Sequence, residues 1–165
     1  MEKQKNIPIV VTTVICVLSV IMMIVALTIS RGNTETAEFI PPPFEEKAVV
    51  GIPIVPDDLG WNEVDAQVYK ASICGKIIIE DDTADVWLTN PESNTVWLKL
   101  RILDADGNIL GETGIIRPGE YVQTVEFDMV PEDGAEIGLK LMAYQPETYY
   151  SEGSATLNTR VKVEE

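Results

Sequence analysis

Residues 88–127 read LTNPESNTVWLKLRILDADGNILGETGIIRPGEYVQTVEF. Val96, Leu98, Leu100 and Ile102 alternate with Trp97, Lys99, Arg101 and Leu103. That period of two belongs to a strand with one buried face. Asn90-Pro91-Glu92-Ser93-Asn94 stands before this run and Asp106-Gly107-Asn108 behind it. Arg117-Pro118-Gly119-Glu120 opens the next alternating run, Tyr121-Gln123-Val125-Phe127. Asn, Asp, Gly and Pro in such clusters set turns.

The same pattern extends in both directions. Upstream lies Ala84-Val86-Leu88; downstream lie Ile137-Leu139-Leu141-Ala143 and Ala155-Leu157-Thr159-Val161-Val163. Pro131-Glu132-Asp133-Gly134 separates two of these runs. Cys74 to Ile79 is almost continuously apolar and reads as one buried central strand. No helical period interrupts residues 49–165. The expected fold there is all-β: an antiparallel immunoglobulin-like or fibronectin III-like sandwich of seven or eight strands.

The N-terminal portion differs in kind. Ile7 to Ile29 holds 23 residues without a charge. At about 1.5 Å per residue, a helix of that length crosses the hydrocarbon core of a bilayer. The run is longer than the roughly 7–15 apolar residues of a secretory signal, and Thr28-Ile29-Ser30 is a poor cleavage site. Ile15 before Cys16 does not suit a lipoprotein signal. The expectation is one uncleaved transmembrane helix over 7–29, integral to the cell membrane. Lys3 and Lys5 precede it and only Arg31 follows closely, which places a short tail, 1–6, in the cytoplasm and the remainder outside. Residues 30–48 contain Pro41-Pro42-Pro43 and read as a semi-rigid linker.

The net charge is −15, and residues 32–165 alone hold 9 Lys and Arg against 26 Asp and Glu, or −17. So acidic a surface repels phosphate backbones, and nucleic acid is excluded as a partner. There is no histidine. Ser-His-Asp and Cys-His sets are therefore impossible, and a lone Cys74 cannot build a zinc site. Cys16 in lipid cannot meet Cys74 in the domain, so no disulfide is expected and Cys74 reads as a small buried hydrophobe. No enzymatic activity and no cofactor are expected.

Two acidic clusters are weak candidates for Ca²⁺. Asp81, Asp82 and Asp85 lie near one turn, and Asp104 and Asp106 open a sequence like an EF-hand loop. Ile109 and Ile115 occupy the positions where that loop needs glycine and glutamate, so a hairpin turn is the expectation, without a metal. The better binding signal is aromatic. Trp87 and Trp97 flank the 90–94 turn on the face opposite the inferred core and are expected as exposed cross-strand neighbours, with Lys99 and Arg101 continuing the face. Such a face suits a protein or glycan; the alternative is that a neighbouring strand or loop covers it. Tyr144, Tyr149 and Tyr150 form a second aromatic group near the last loop.

Residues 88–163 resemble a group of short, single-span surface proteins of Gram-positive bacteria. The pattern is NPxxN, a strand, a DG turn, a PGxxV-type strand and a late LN. The positions that carry it are Asn90, Pro91, Asn94, Gly107, Pro118, Gly119, Leu157 and Asn158. The resemblance implies a membrane-anchored β-sandwich at the cell surface and brings no functional residue with it. The functional expectation is a non-catalytic surface module for protein or glycan binding or envelope assembly. Two alternatives stand beside it. One is a structural subunit of a pilus, secretion or conjugative-transfer apparatus, its helix packing through Thr12, Thr13, Ser19 and Ala26. The other is a Ca²⁺-stabilised adhesion domain.

Overall fold

The uncharged run forms a helix and the alternating runs form strands. A computed structural model describes residues 7–31 and 39–164, with side chains in the first stretch described for 11–23 and 25. The expected tail 1–6 and linker residues 32–38 lie outside the described residues. The chain divides into two compact units, 1–40 and 41–165.

In the first unit, α1 runs from Ile7 to Arg31. Its one described serine satisfies itself locally: the Ser19 hydroxyl donates to the Cys16 carbonyl at 2.8 Å. Val11, Leu18, Met22 and the other described large apolar side chains are exposed. Over the described residues, no helix is long and apolar enough to cross a membrane.

The second unit is all-β. Its strands are β1 (Val49–Val50), β2 (Trp61–Asp65), β3 (Lys70–Cys74), β4 (Ile77–Glu80), β5 (Thr83–Asn90), β6 (Trp97–Leu103), β7 (Ile109–Glu112), β8 (Glu120–Glu126), β9 (Glu136–Tyr144) and β10 (Ser151–Glu164). They form one curled sheet in the order β1-β8-β5-β4-β10-β9-β6-β7, with β3 also on β5 and β2 on β3. Inward-facing residues of both halves of the curl make the core, among them Ile73, Leu88, Leu98, Leu100, Leu139 and Leu141, all fully buried.

Four features depart from expectation. Ten strands form where seven or eight were expected, two of them, β1 and β2, from residues that show no clear alternation. The apolar run Cys74–Ile79 is two strands, not one. At Gly75 the backbone turns aside to donate to the Leu59 carbonyl at 3.1 Å, and Lys76 donates to the same oxygen at 2.9 Å. Beyond that break β4 reaches β10, and the pairing is parallel, Val161 opposite Ile77. The 14-residue β10 thus closes the curl: its first part pairs antiparallel with β9 and its last part lies beside β4. Lastly, the compact unit begins at Pro41, inside the stretch read as linker. Ile115 donates to the Pro43 carbonyl at 2.8 Å and Glu45 donates back to Ile115 at 2.9 Å. Gly114 permits this approach, since a Cβ there would stand 2.6 Å from the Glu45 Cα.

The turn between β5 and β6 ties the two halves together. Asn90 is 0% exposed. Its Nδ2 donates to the carbonyls of Val96 and Ile116, both at 3.0 Å, and its Oδ1 accepts from Asn94 Nδ2 at 2.6 Å. Asn94 in turn accepts from the Lys70 amide at 2.9 Å and donates to the Lys70 carbonyl at 2.6 Å. Removing a buried donor leaves its acceptors desolvated, at about 1–3 kcal/mol each. Asn90→Ala should lower unfolding free energy by about 2–4 kcal/mol in urea titrations, and Asn90→Asp should be no milder, because a carboxylate would face two carbonyls.

Candidate functional site

Trp97, Lys99 and Arg101 share one face of β6, opposite Leu98, Leu100 and Ile102, as the alternation requires. Register sets Tyr144, Met142 and Lys140 of β9 across from them. The face is not open, however. Phe44 meets the Trp97 ring edge-on with centroids 4.9 Å apart, and Tyr149 does the same at 5.2 Å. The Arg117 guanidinium lies 3.8 Å over the Phe44 ring. Trp97 is half-buried beneath these two rings, one from more than fifty residues upstream and one from more than fifty downstream.

Lys99 is 5% exposed. Its Nζ lies 2.7 Å from Glu112 Oε1, while Arg101 reaches Glu112 Oε2 at 2.9 Å. Burial works against ionisation of Glu112. The hydrogen bonds and charges of Lys99 and Arg101 outweigh it and hold the carboxyl below its ordinary value. This triad fastens β6 to β7 and leaves Lys99 no freedom to meet a partner.

Trp87 lies on β5, which pairs with β3, β4 and β8, whereas β6 pairs with β7 and β9. The two tryptophans are therefore not cross-strand neighbours, contrary to expectation. Between the pairs Asp85–Thr124 and Leu88–Val122, Val86 and Trp87 stand against Gln123 alone. This is a β-bulge. Trp87 takes φ 48°, a left-handed value that costs a bulky residue strain. Its ring stacks on Tyr121 with centroids 6.1 Å apart, and its buried Nε1 has no hydrogen-bond partner.

The acidic clusters are turns. Asp104 Oδ1 accepts from the amides of Asp106 at 2.9 Å and Asn108 at 2.8 Å, and Oδ2 accepts from Asn108 Nδ2 at 2.8 Å. Those bonds, Asn108's first, lower the Asp104 carboxyl below its usual range. They make Asp104 the residue that holds this turn together. Asp81 takes φ 56° in the two-residue link between β4 and β5. With Asp82 and Asp85 it borders a depression of about 600 Å³. Among the described residues, no group of three His, Cys, Asp or Glu is placed to hold a metal ion. Cys74 is fully buried, and burial pushes its thiol up to about 12.

A different surface stands open. Val50, Ile52 and Ile54 are 81%, 92% and 92% exposed. Ile52 and Ile54 alternate with the half-buried Pro53 and Val55, which puts those two on one face, and Val50 and Trp61 are exposed nearby. Residues 51–60 carry the chain from one edge of this half-sheet to the other, because β8, β5 and β3 lie between β1 and β2. Asp57–Leu59 make a short 3-10 turn just before β2, and the six residues ahead of them form an extended strap. Ile52-Pro53 and Val55-Pro56 favour that conformation. Grooves of about 460 and about 420 Å³ flank it, both bordered by Ile52, Pro53 and Trp61. The alternation Val50-Gly51-Ile52-Pro53-Ile54 is visible in the sequence, but alternation alone reads as a core-facing strand.

Glu112→Gln should leave Lys99 buried without a counter-charge. Because Glu112 is about a third exposed, the loss is about 1–2 kcal/mol rather than that of a fully buried pair. Adding Lys99→Met should restore most of it in thermal unfolding. A depressed carboxyl pKa contributes stability that is full above the unfolded value, near 4.3, and lost as pH falls through the folded one. The parent should therefore lose stability below about pH 4.3 more steeply than Glu112→Gln. No protein-family model, curated protein or solved structure matches the chain.

Proposed function

We propose that this chain is a membrane-anchored display protein whose acidic β unit is a non-catalytic binding module held outside the cell. One observation carries the reading: the uncharged run Ile7–Ile29 lies within a single helix, α1, and a separate compact unit follows it. The described side chains of α1 are apolar all round, with few exceptions, which suits lipid better than water. The positive flank at Lys3 and Lys5 favours outward display of the unit.

The unit itself is read as an immunoglobulin-like sandwich. β3, β5 and β8 pair as strands A, B and E do in that fold, and β6, β9 and β10 pair as C, F and G do. The likeness to Gram-positive surface proteins agrees with this reading. A protein partner is favoured over a glycan: Trp97 is packed against Phe44 and Tyr149, while the open surface is aliphatic except for Trp61.

In cells producing the chain with a C-terminal epitope, the protein should stay in the membrane pellet after alkaline carbonate washing. Protease added to intact cells should remove the epitope. Release by carbonate would overturn the anchor, and an epitope protected until lysis would overturn outward display.

A further inference from the structure

We infer that the ridge of Val50, Ile52 and Ile54 with Trp61 is the docking surface for an extended, basic segment of a partner protein, one that alternates aliphatic residues with Lys or Arg. The inference rests on reading the β unit as a binding module, though not on the anchor.

The ridge does nothing for the fold. Side chains 81–92% exposed bury almost no area, so the core gains nothing from their being β-branched and apolar. The backbone beneath them is equally unspent. Gly51 donates to the Gly119 carbonyl at 2.9 Å, and the next main-chain bond along the chain is Leu59 to Pro56 at 3.2 Å. Between these, the amides of Ile52, Ile54 and Val55 have no protein acceptor among the described residues. An apolar segment with unpaired amides is a template for strand addition.

Charge selects the occupant. Residues 48–69 contain Asp57, Asp58, Glu63 and Asp65 and no Lys or Arg. Asp65 pairs with Lys70 at 3.5 Å; Asp57, Asp58 and Glu63 have no ion pair among the described residues. Asp57 borders the same groove as Ile52, Pro53 and Trp61, and an apolar strip beside an unpaired carboxylate is complementary to a cationic segment. The same carboxylates oppose an anionic lipid surface, and they oppose a second copy of so acidic a chain.

The test uses the full chain in detergent micelles and two dye-labelled decapeptides, one alternating valine with lysine and one alternating valine with glutamate, read by fluorescence anisotropy. The lysine peptide should bind about tenfold or more tighter than the glutamate peptide. The charge-neutral double variant Ile52→Ser, Ile54→Ser should lose about tenfold for the lysine peptide with its melting temperature unchanged. Equal binding of the two peptides, or undiminished binding by the double variant, overturns the inference. Two further results overturn it by naming another occupant. One is a concentration-dependent dimer in sedimentation that the double variant disperses. The other uses a polarity-sensitive dye on Ile52→Cys in a Cys16→Ser background, where Cys74 is buried. A blue shift on reconstitution into phosphatidylcholine–phosphatidylglycerol vesicles without peptide would mean bilayer contact. Carbonate extraction and protease shaving fail or succeed separately from all of these.

Discussion

A single buried amide bridges the two halves of the β unit. A curled sheet must be held shut where its strands pass from one half to the other, and at that end the link is Asn90. Its two donors reach carbonyls on the β6 side, while the backbone around it belongs to β5. Through Asn94 the clasp extends to Lys70 at the start of β3. A primary amide suits the task, since it presents two donors and an acceptor without a charge that would have to be desolvated. At the other end the halves are joined covalently, by the continuous β10, so the clasp and the long strand together fix the curl.

This explains what could be read from the chain and what could not. Alternation at 96–103, 137–143 and 155–163 follows from burial on one side of a pleat, a local property that a sequence displays directly. The turn at 90–94 is also legible as a turn. Its role as a bridge is not, because the acceptors on Val96 and Ile116 are brought to Asn90 only by tertiary folding. The break at Gly75 escaped for a related reason: apolar residues on both sides of it enter the same core, and only the Leu59 carbonyl, from another segment, shows that the chain turns there.

The face of β6 makes the same point for function. Trp97, Lys99 and Arg101 fall on the side opposite the aliphatic core, and in sequence such a side looks solvent-facing. In the fold Phe44 and Tyr149 pack against the tryptophan and Glu112 takes both cations. Phe44 arrives because Gly114 lets the leader approach Ile115 more closely than any side chain would allow. A residue read as part of a spacer thus becomes part of the packing, and a face read as a binding surface is largely taken up by ring contacts and ion pairs.

The open ridge inverts that error and gives the acidic composition a local meaning. Ile52 and Ile54 stand out into solvent on a strap with unpaired amides, the kind of feature that invites indiscriminate strand pairing between copies. Proteins blunt such edges with charge, and here unpaired carboxylates lie a few residues along the chain. They raise the cost of bringing two acidic chains together while lowering that of bringing in a cationic one. A uniform surplus of negative charge serves only solubility. Close to the most exposed aliphatic residues of the unit, as Asp57 is to Ile52, it becomes a filter on what can bind there, so the choice of partner follows from the same residues that keep the ridge from aggregating.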